Sequence, residues 1–193
     1  MLHSLFFPIL ISVLASRICD IEHKGNTWKL LVCSNQRLGS LWNAKFGLIF
    51  SLLALAQGAE FGLLLLHGTR IGLSGFPVRT YLATYGGCLL VNFTLLTLQM
   101  FLSMYFQNQL IALSAGMLGG FVGILSMLMP APLRRLFPSG YYTELCPAGS
   151  GLDQAGNLQL FHLRQNWLPV LLLFALGVLL FLWAKLRLER REW

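Results

Sequence analysis

The chain has 193 residues, 56% hydrophobic and 11% charged, with a mean hydropathy of +0.67. A soluble globular domain carries about 25% charged residues, so the composition excludes one, and the lack of long alternating strand patterns excludes a membrane barrel. The net charge of +7 does not point to nucleic acid, because the basic residues fall at the ends of apolar runs and in loops, and no stretch interleaves them with aromatics as a nucleic-acid platform would.

Five apolar runs follow in order, over residues 2–18, 46–66, 81–105, 110–129 and 167–184. Each is predicted to be a helical span, which takes about 20 apolar residues. The first is the shortest. It is expected to be a retained span rather than a signal peptide, because it lacks a basic leading region, and Arg17 with Asp20-Ile21-Glu22 is a poor cleavage context. The expected fold is all-α, a polytopic transmembrane helical bundle forming one membrane domain over residues 1–193.

A dense polar block, residues 20–45, separates the first two runs. Gly25-Asn26 signals a turn, and Asn26 or Thr27 can cap a helix by accepting from exposed backbone N–H groups. Trp28, Leu31 and Val32 then fall at i, i+3 and i+4, a short apolar stripe. Ser34-Asn35-Gln36 breaks it, and Leu38, Leu41 and Trp42 resume it. Two readings of this stripe stay open: a helix offered to a partner's groove, or an amphipathic helix lying in the lipid interface.

Glu60 is the only acidic residue inside a span. An ionised carboxylate in lipid is costly, so it should face the bundle or a watery path. Gln57 stands three residues before it and is expected on the same face. The alternatives are a substrate-path group and a structural hydrogen bond. The third run carries Asn92, Thr94, Thr97 and Gln99; Asn92 and Gln99, seven apart, share a side. Interhelical bonding and substrate contact are both open to them. Gln57, Glu60, Asn92 and Gln99 are the substrate-path candidates.

The link Gln107-Asn108-Gln109 is tight, so the third and fourth runs should form an antiparallel hairpin. Small residues recur along the fourth run at Ala112, Gly116 and Gly120, with Gly119 and Gly123 one register over. Gly58 and Gly62 repeat the spacing in the second. These are small-x-x-x-small patterns that allow close helix approach, within the chain or between copies. The loop 130–166 follows; its 131–137 stretch is predicted to be a short interfacial helix ended by Pro138, and 150–157 a mobile polar stretch.

An odd number of spans puts the termini on opposite sides. Arg17, Lys24, Lys29, Arg37, Lys45, Lys185, Arg187, Arg190 and Arg191 lie on one side, and Arg70, Arg79, Arg134, Arg135 and Arg164 on the other. The more basic side is expected to be cytoplasmic, which makes 130–166 an extracytoplasmic loop and places the N-terminus outside. Cys19, Cys33, Cys88 and Cys146 are far apart with no C-x-x-C, against a disulfide framework or a zinc site. No G-x-x-x-x-G-K-[ST], H-E-x-x-H or G-x-S-x-G occurs. Two other functions remain: an intramembrane hydrolase or transferase built on Glu60 with His3 or His67, and a small membrane scaffold or sensor.

The 20–45 block also carries a resemblance. Asp20-Ile21-Glu22-His23-Lys24, Asn26-Thr27-Trp28-Lys29-Leu30-Leu31, Arg37 and Ala44-Lys45 resemble the segment after the second span in ABC transporter permeases of the type-two exporter class, notably the lantibiotic-immunity and bacitracin-type permeases. The rest of the chain is similar in layout. The resemblance implies that Glu22, His23, Lys24, Asn26, Thr27, Trp28, Lys29 and Leu31 form a coupling helix seated on an ABC ATPase. It implies a second permease subunit, identical or not, in a bacterial cytoplasmic membrane. ATP and Mg would be bound by the ATPase, with no catalytic residue, metal or cofactor in this chain. The substrate would be an amphiphilic antimicrobial peptide, drug or lipid-like compound, exported. Such permeases have six spans with both termini inside, so the resemblance implies that the first span is missing here.

Overall fold

A computed structural model describes residues 2–25, 38–70, 78–106, 108–152, 158–162 and 165–189. Its helices are α1 (Leu2–Gly25), α2 (Leu38–Arg70), α3 (Val78–Tyr105), α4 (Gln109–Leu125), the single turns α5 (Ala131–Arg134) and α6 (Tyr141–Glu144), and α7 (Trp167–Glu189). A 3-10 turn, Pro138–Gly140, precedes α6. Strands β1 (Ala148–Leu152) and β2 (Leu158–His162) pair antiparallel, with Ser150 opposite Leu160. The protein is an all-α polytopic bundle with this small hairpin attached. Residues 150–152, expected in a mobile polar stretch, lie in β1, where pairing with β2 satisfies the backbone.

α1, α2, α3 and α7 are each long and apolar enough to cross a bilayer. α4 is shorter. Its 17 residues extend about 26 Å at 1.5 Å per residue, against a hydrocarbon core of about 30 Å. The apolar run 110–129 therefore outlasts its helix. Ser126 N–H still bonds Val122 O, but Met127 and Leu128 bond only three residues back, the tightening typical of a helix end. At its start, Asn108 caps α4 by accepting from Leu110 N–H at 3.0 Å.

α3 runs through the middle of the bundle and buries most of one side, from Gly87 to Met104. α2 lies antiparallel to it: Phe46 and Phe50 meet Phe93, while Phe61 meets Tyr85. α7 runs parallel to α3, with Phe174 against Phe93 and Trp183 against Phe101. Phe181 closes an aromatic cluster with Trp42, Phe46 and Phe93. α1 lies antiparallel to α4, Ser4 beside Gly123 and Ser12 beside Gly116.

The heights of these contacts matter. Asn92 stands midway along α3, about 20 Å from either end. His3, at the start of α1, packs edge-on to Tyr142, whose hydroxyl bonds Asn92. α1 therefore starts, and α4 ends, near half height, and residues 126–147 fold over both ends as a cap. The cap buries Ser139, Gly140, Tyr141, Tyr142 and Leu145. Ser126 and Thr143 hydroxyls bond at 2.8 Å. Arg134 and Arg135 both donate to Glu144 Oε1, at 2.9 and 3.0 Å, and its side chain is only 3% exposed. The interfacial helix expected over 131–137 is thus a single turn, and Pro138 opens the 3-10 turn that carries Tyr141 and Tyr142 inward.

At the other end, Lys45 Nζ donates to Ile18 O at 2.8 Å and ties α2 to α1. The polar block is helical at both margins: 20–25 extend α1, and 38–45 begin α2.

Candidate functional site

Two amides meet inside the apolar bundle. Gln57 of α2 is 3% exposed and Asn92 of α3 fully buried. A bare amide in such surroundings costs several kcal/mol, and the bundle answers with a continuous chain of bonds. Tyr142 OH donates to Asn92 Oδ1. Asn92 Nδ2 donates to Gln57 Oε1 at 2.7 Å. Gln57 Nε2 donates to Tyr85 O at 3.0 Å, and Tyr85 OH donates to Ala54 O at 3.1 Å. Burial, and next the neighbouring Cys88, push the Tyr142 phenol well above its ordinary pKa, so it remains a donor. The chain joins α2, α3 and the cap at half height.

Glu60 stands beside this chain but not in it. Three residues turn a helix by about 300°, leaving roughly 60° between the two side chains. Gln57 goes inward; the Glu60 side chain is 56% exposed. The expectation of one shared face gives way to an inner amide and an outer carboxylate. Glu60 Oε2 pairs with His3 Nδ1 at 3.0 Å, the histidine being 18% exposed. His3 is also stacked on Phe7 at 4.0 Å. His67 is exposed, and the histidine that reaches Glu60 is the other one. Among the described residues, no group of His, Cys, Asp and Glu is arranged to hold a metal ion.

Gln99 is not joined to Asn92. With its amide turned to satisfy both ends, it donates to Ala112 O and accepts from Gly116 N–H, each at 3.1 Å. It thereby ties α3 to α4 about 10 Å further along. Of the small residues, Gly116, Gly120 and Gly123 face α1, against Ser12, Leu5 and Ser4 respectively. Gly119 is in ordinary contact with Pro8, and Gly58 lies near the Tyr85 hydroxyl. A Cβ at Gly62 would meet open space. Thr94 reaches α7 instead, its hydroxyl donating to Leu173 O at 3.3 Å and lying where a side chain at Gly177 would go.

Glu22, His23 and Lys24 fall in the last turns of α1. Asn26, Thr27, Trp28, Lys29 and Leu31, and with them the predicted coupling helix, lie outside the described residues. The site residues that sequence reasoning missed are Tyr142 and the Arg134–Arg135–Glu144 clamp. Their signal was faint: Tyr141, Tyr142 and Leu145 are apolar at helical spacing in a loop otherwise read as outward-facing.

The chain matches the family described as ABC-2 family transporter protein over residues 1–123, which takes in α1 to α3 and most of α4. No curated protein and no solved structure matches it. The match covers well over half of the chain, and the spans it covers hold Gln57, Glu60, Asn92 and Gln99. The chain therefore belongs to the ABC-2 transporter family, as a multi-pass membrane permease that works with an ATP-binding partner subunit.

Proposed function

We propose that the protein is the permease of an exporter of the lantibiotic-immunity and bacitracin type, moving an amphiphilic antimicrobial peptide, drug or lipid-like compound out of the membrane. The observation that carries this is the buried chain Gln57–Asn92–Tyr142 at half height, with the Glu60–His3 pair at its edge. Amides and a carboxylate inside a lipid-facing bundle are expensive, and they would offer polar partners to the headgroup of an amphiphile entering from the side. Glu60, the more exposed member, would meet cationic groups of the substrate.

The permease would pair with a second copy or a related subunit. The segment around Trp28 and Leu31 would seat on the ATPase, on the more basic, cytoplasmic side. ATP-driven closure of the ATPases would rock α1 and α2 and open the path around Asn92 by turns.

Two variants of the complex, co-expressed with its ATPase, test this. A double change of Trp28→Glu and Leu31→Glu should abolish co-purification of the ATPase. Glu60→Gln should keep the ATPase bound and the fold intact, yet lose substrate-stimulated hydrolysis and the host's resistance to a cationic peptide. Full stimulation by Glu60→Gln would remove Glu60 from the path, and an intact complex with the double variant would refute the docking assignment.

A further inference from the structure

The end of the bundle away from the cap carries a second feature. The ends of α3 and α7 and the start of α2 enclose a pocket of about 560 Å³. Trp42, Phe101, Tyr105 and Trp183 supply aromatic walls, and among the described residues Arg187 is the charged group in its lining. The Arg187 guanidinium lies 5.8 Å from the centre of the Trp183 ring, and no ion pair holds it among the described residues. Trp42 as a whole is 1% exposed, and its indole N–H, itself enclosed, has no hydrogen-bond partner among the described residues. The exposed Arg187 is therefore the donor that this wall offers to a ligand.

The surroundings say which acceptor fits. Leu182 and Leu186 on α7 are exposed, so the pocket opens beside lipid-facing apolar surface rather than a polar docking face. Tryptophan and tyrosine at the end of spans mark headgroup depth. The sequence adds Lys185, Arg190 and Arg191 to Arg187, against Glu189 and Glu192, a basic run of the kind that draws anionic lipid.

We propose that this pocket binds the phosphate headgroup of an anionic glycerophospholipid. Arg187 pairs with the phosphate, Trp183 and Tyr105 flank the headgroup, and the acyl chains leave along Leu182 and Leu186. The site does not depend on what is transported.

The test uses the full chain, purified in mild detergent and stripped of lipid. Its thermal unfolding is followed while phosphatidylglycerol, or phosphatidylcholine with the same acyl chains, is titrated in mixed micelles, and separately with inorganic phosphate. Phosphatidylglycerol should raise the unfolding temperature well above the effect of phosphatidylcholine. Arg187→Gln should weaken that response about tenfold, the equivalent of one charge-assisted hydrogen bond. Arg79→Gln, at the other end, should not weaken it. Equal responses to the two lipids, or an unchanged response in Arg187→Gln, overturn the proposal. So does an equal effect of phosphate alone, which would make this a site for a dissolved ion. Loss of the ATPase from Arg187→Gln without any lipid effect would make the pocket a protein-docking face.

Discussion

Gly123→Ala sets close helix contact against helix preference. A Cβ at 123 would lie 2.3 Å from the Ser4 carbonyl oxygen, roughly 1 Å inside van der Waals contact. The obstacle is backbone, so no rotamer relieves it; α1 must retreat from α4. Over-packing of this kind costs about 1–3 kcal/mol, and alanine's better helix preference returns up to about 1 kcal/mol. The net expectation is a loss of about 1–2 kcal/mol. Gly119, one turn earlier, is the control, because its Cβ would lie 3.8 Å from Pro8 Cβ, an ordinary contact. Gly119→Ala should therefore be neutral or stabilising by up to about 1 kcal/mol. For a chain of this size each kcal/mol moves the unfolding temperature by about 2–4 °C, so the two variants should separate by several degrees in opposite directions. A thiol-reactive dye reads this in detergent, since the buried Cys19 and Cys88 become reactive on unfolding; scan rate is held fixed because unfolding in detergent is commonly irreversible. If Gly119→Ala falls as far as Gly123→Ala, glycine is required along the whole helix for some other reason, and the antiparallel α1–α4 contact described above is wrong.

Two further predictions concern the cap. Tyr142→Phe leaves Asn92 Oδ1 buried without its donor and should destabilise by about 1–2 kcal/mol, whereas Asn92→Leu strands both Gln57 and Tyr142 and should cost about 2–4 kcal/mol; adding Tyr142→Phe to Asn92→Leu should then cost nothing more, and a fully additive double variant would show that the two side chains do not touch. Glu144→Ala removes the buried carboxylate that Arg134 and Arg135 share. Arg135 is 40% exposed, so solvent screens part of the loss, and about 1–3 kcal/mol is expected; the check is faster proteolysis within 126–147, and unchanged cleavage there would refute the clamp.

Hydropathy reveals a span because lipid tolerates only an apolar exterior on a closed helix, and four long helices duly lie on four of the five runs. The same signal overstates α4. Lipid exposure sets composition, while helix length is set by where backbone bonds can be replaced. Residues 126–129 continue the apolar run although their helix has ended: the chain turns back there into the cap, enclosing Ser126 but leaving Met127 and Leu128 exposed. The same return explains why Tyr142 was unreadable: a tyrosine between prolines and an acid looks like loop surface unless one knows that the loop re-enters. Asn92 and Gln57 were legible, since a polar residue in a span must bond to something, but the sequence could not say to what. It placed Asn92 with Gln99 on one side of α3 and Gln57 with Glu60 on one side of α2. The bundle divides each pair, because seven residues along a helix is about 10 Å, far enough to reach a different neighbour, and a 60° turn separates core from rim. Polar residues within a helix thus show how many bonds a bundle must make; only the packing of α1, α4 and the cap around α3 decides which of them form one chain. That packing brings Asn92, Gln57 and Tyr142 together at half height, and it leaves the Glu60 side chain at the rim, paired with His3.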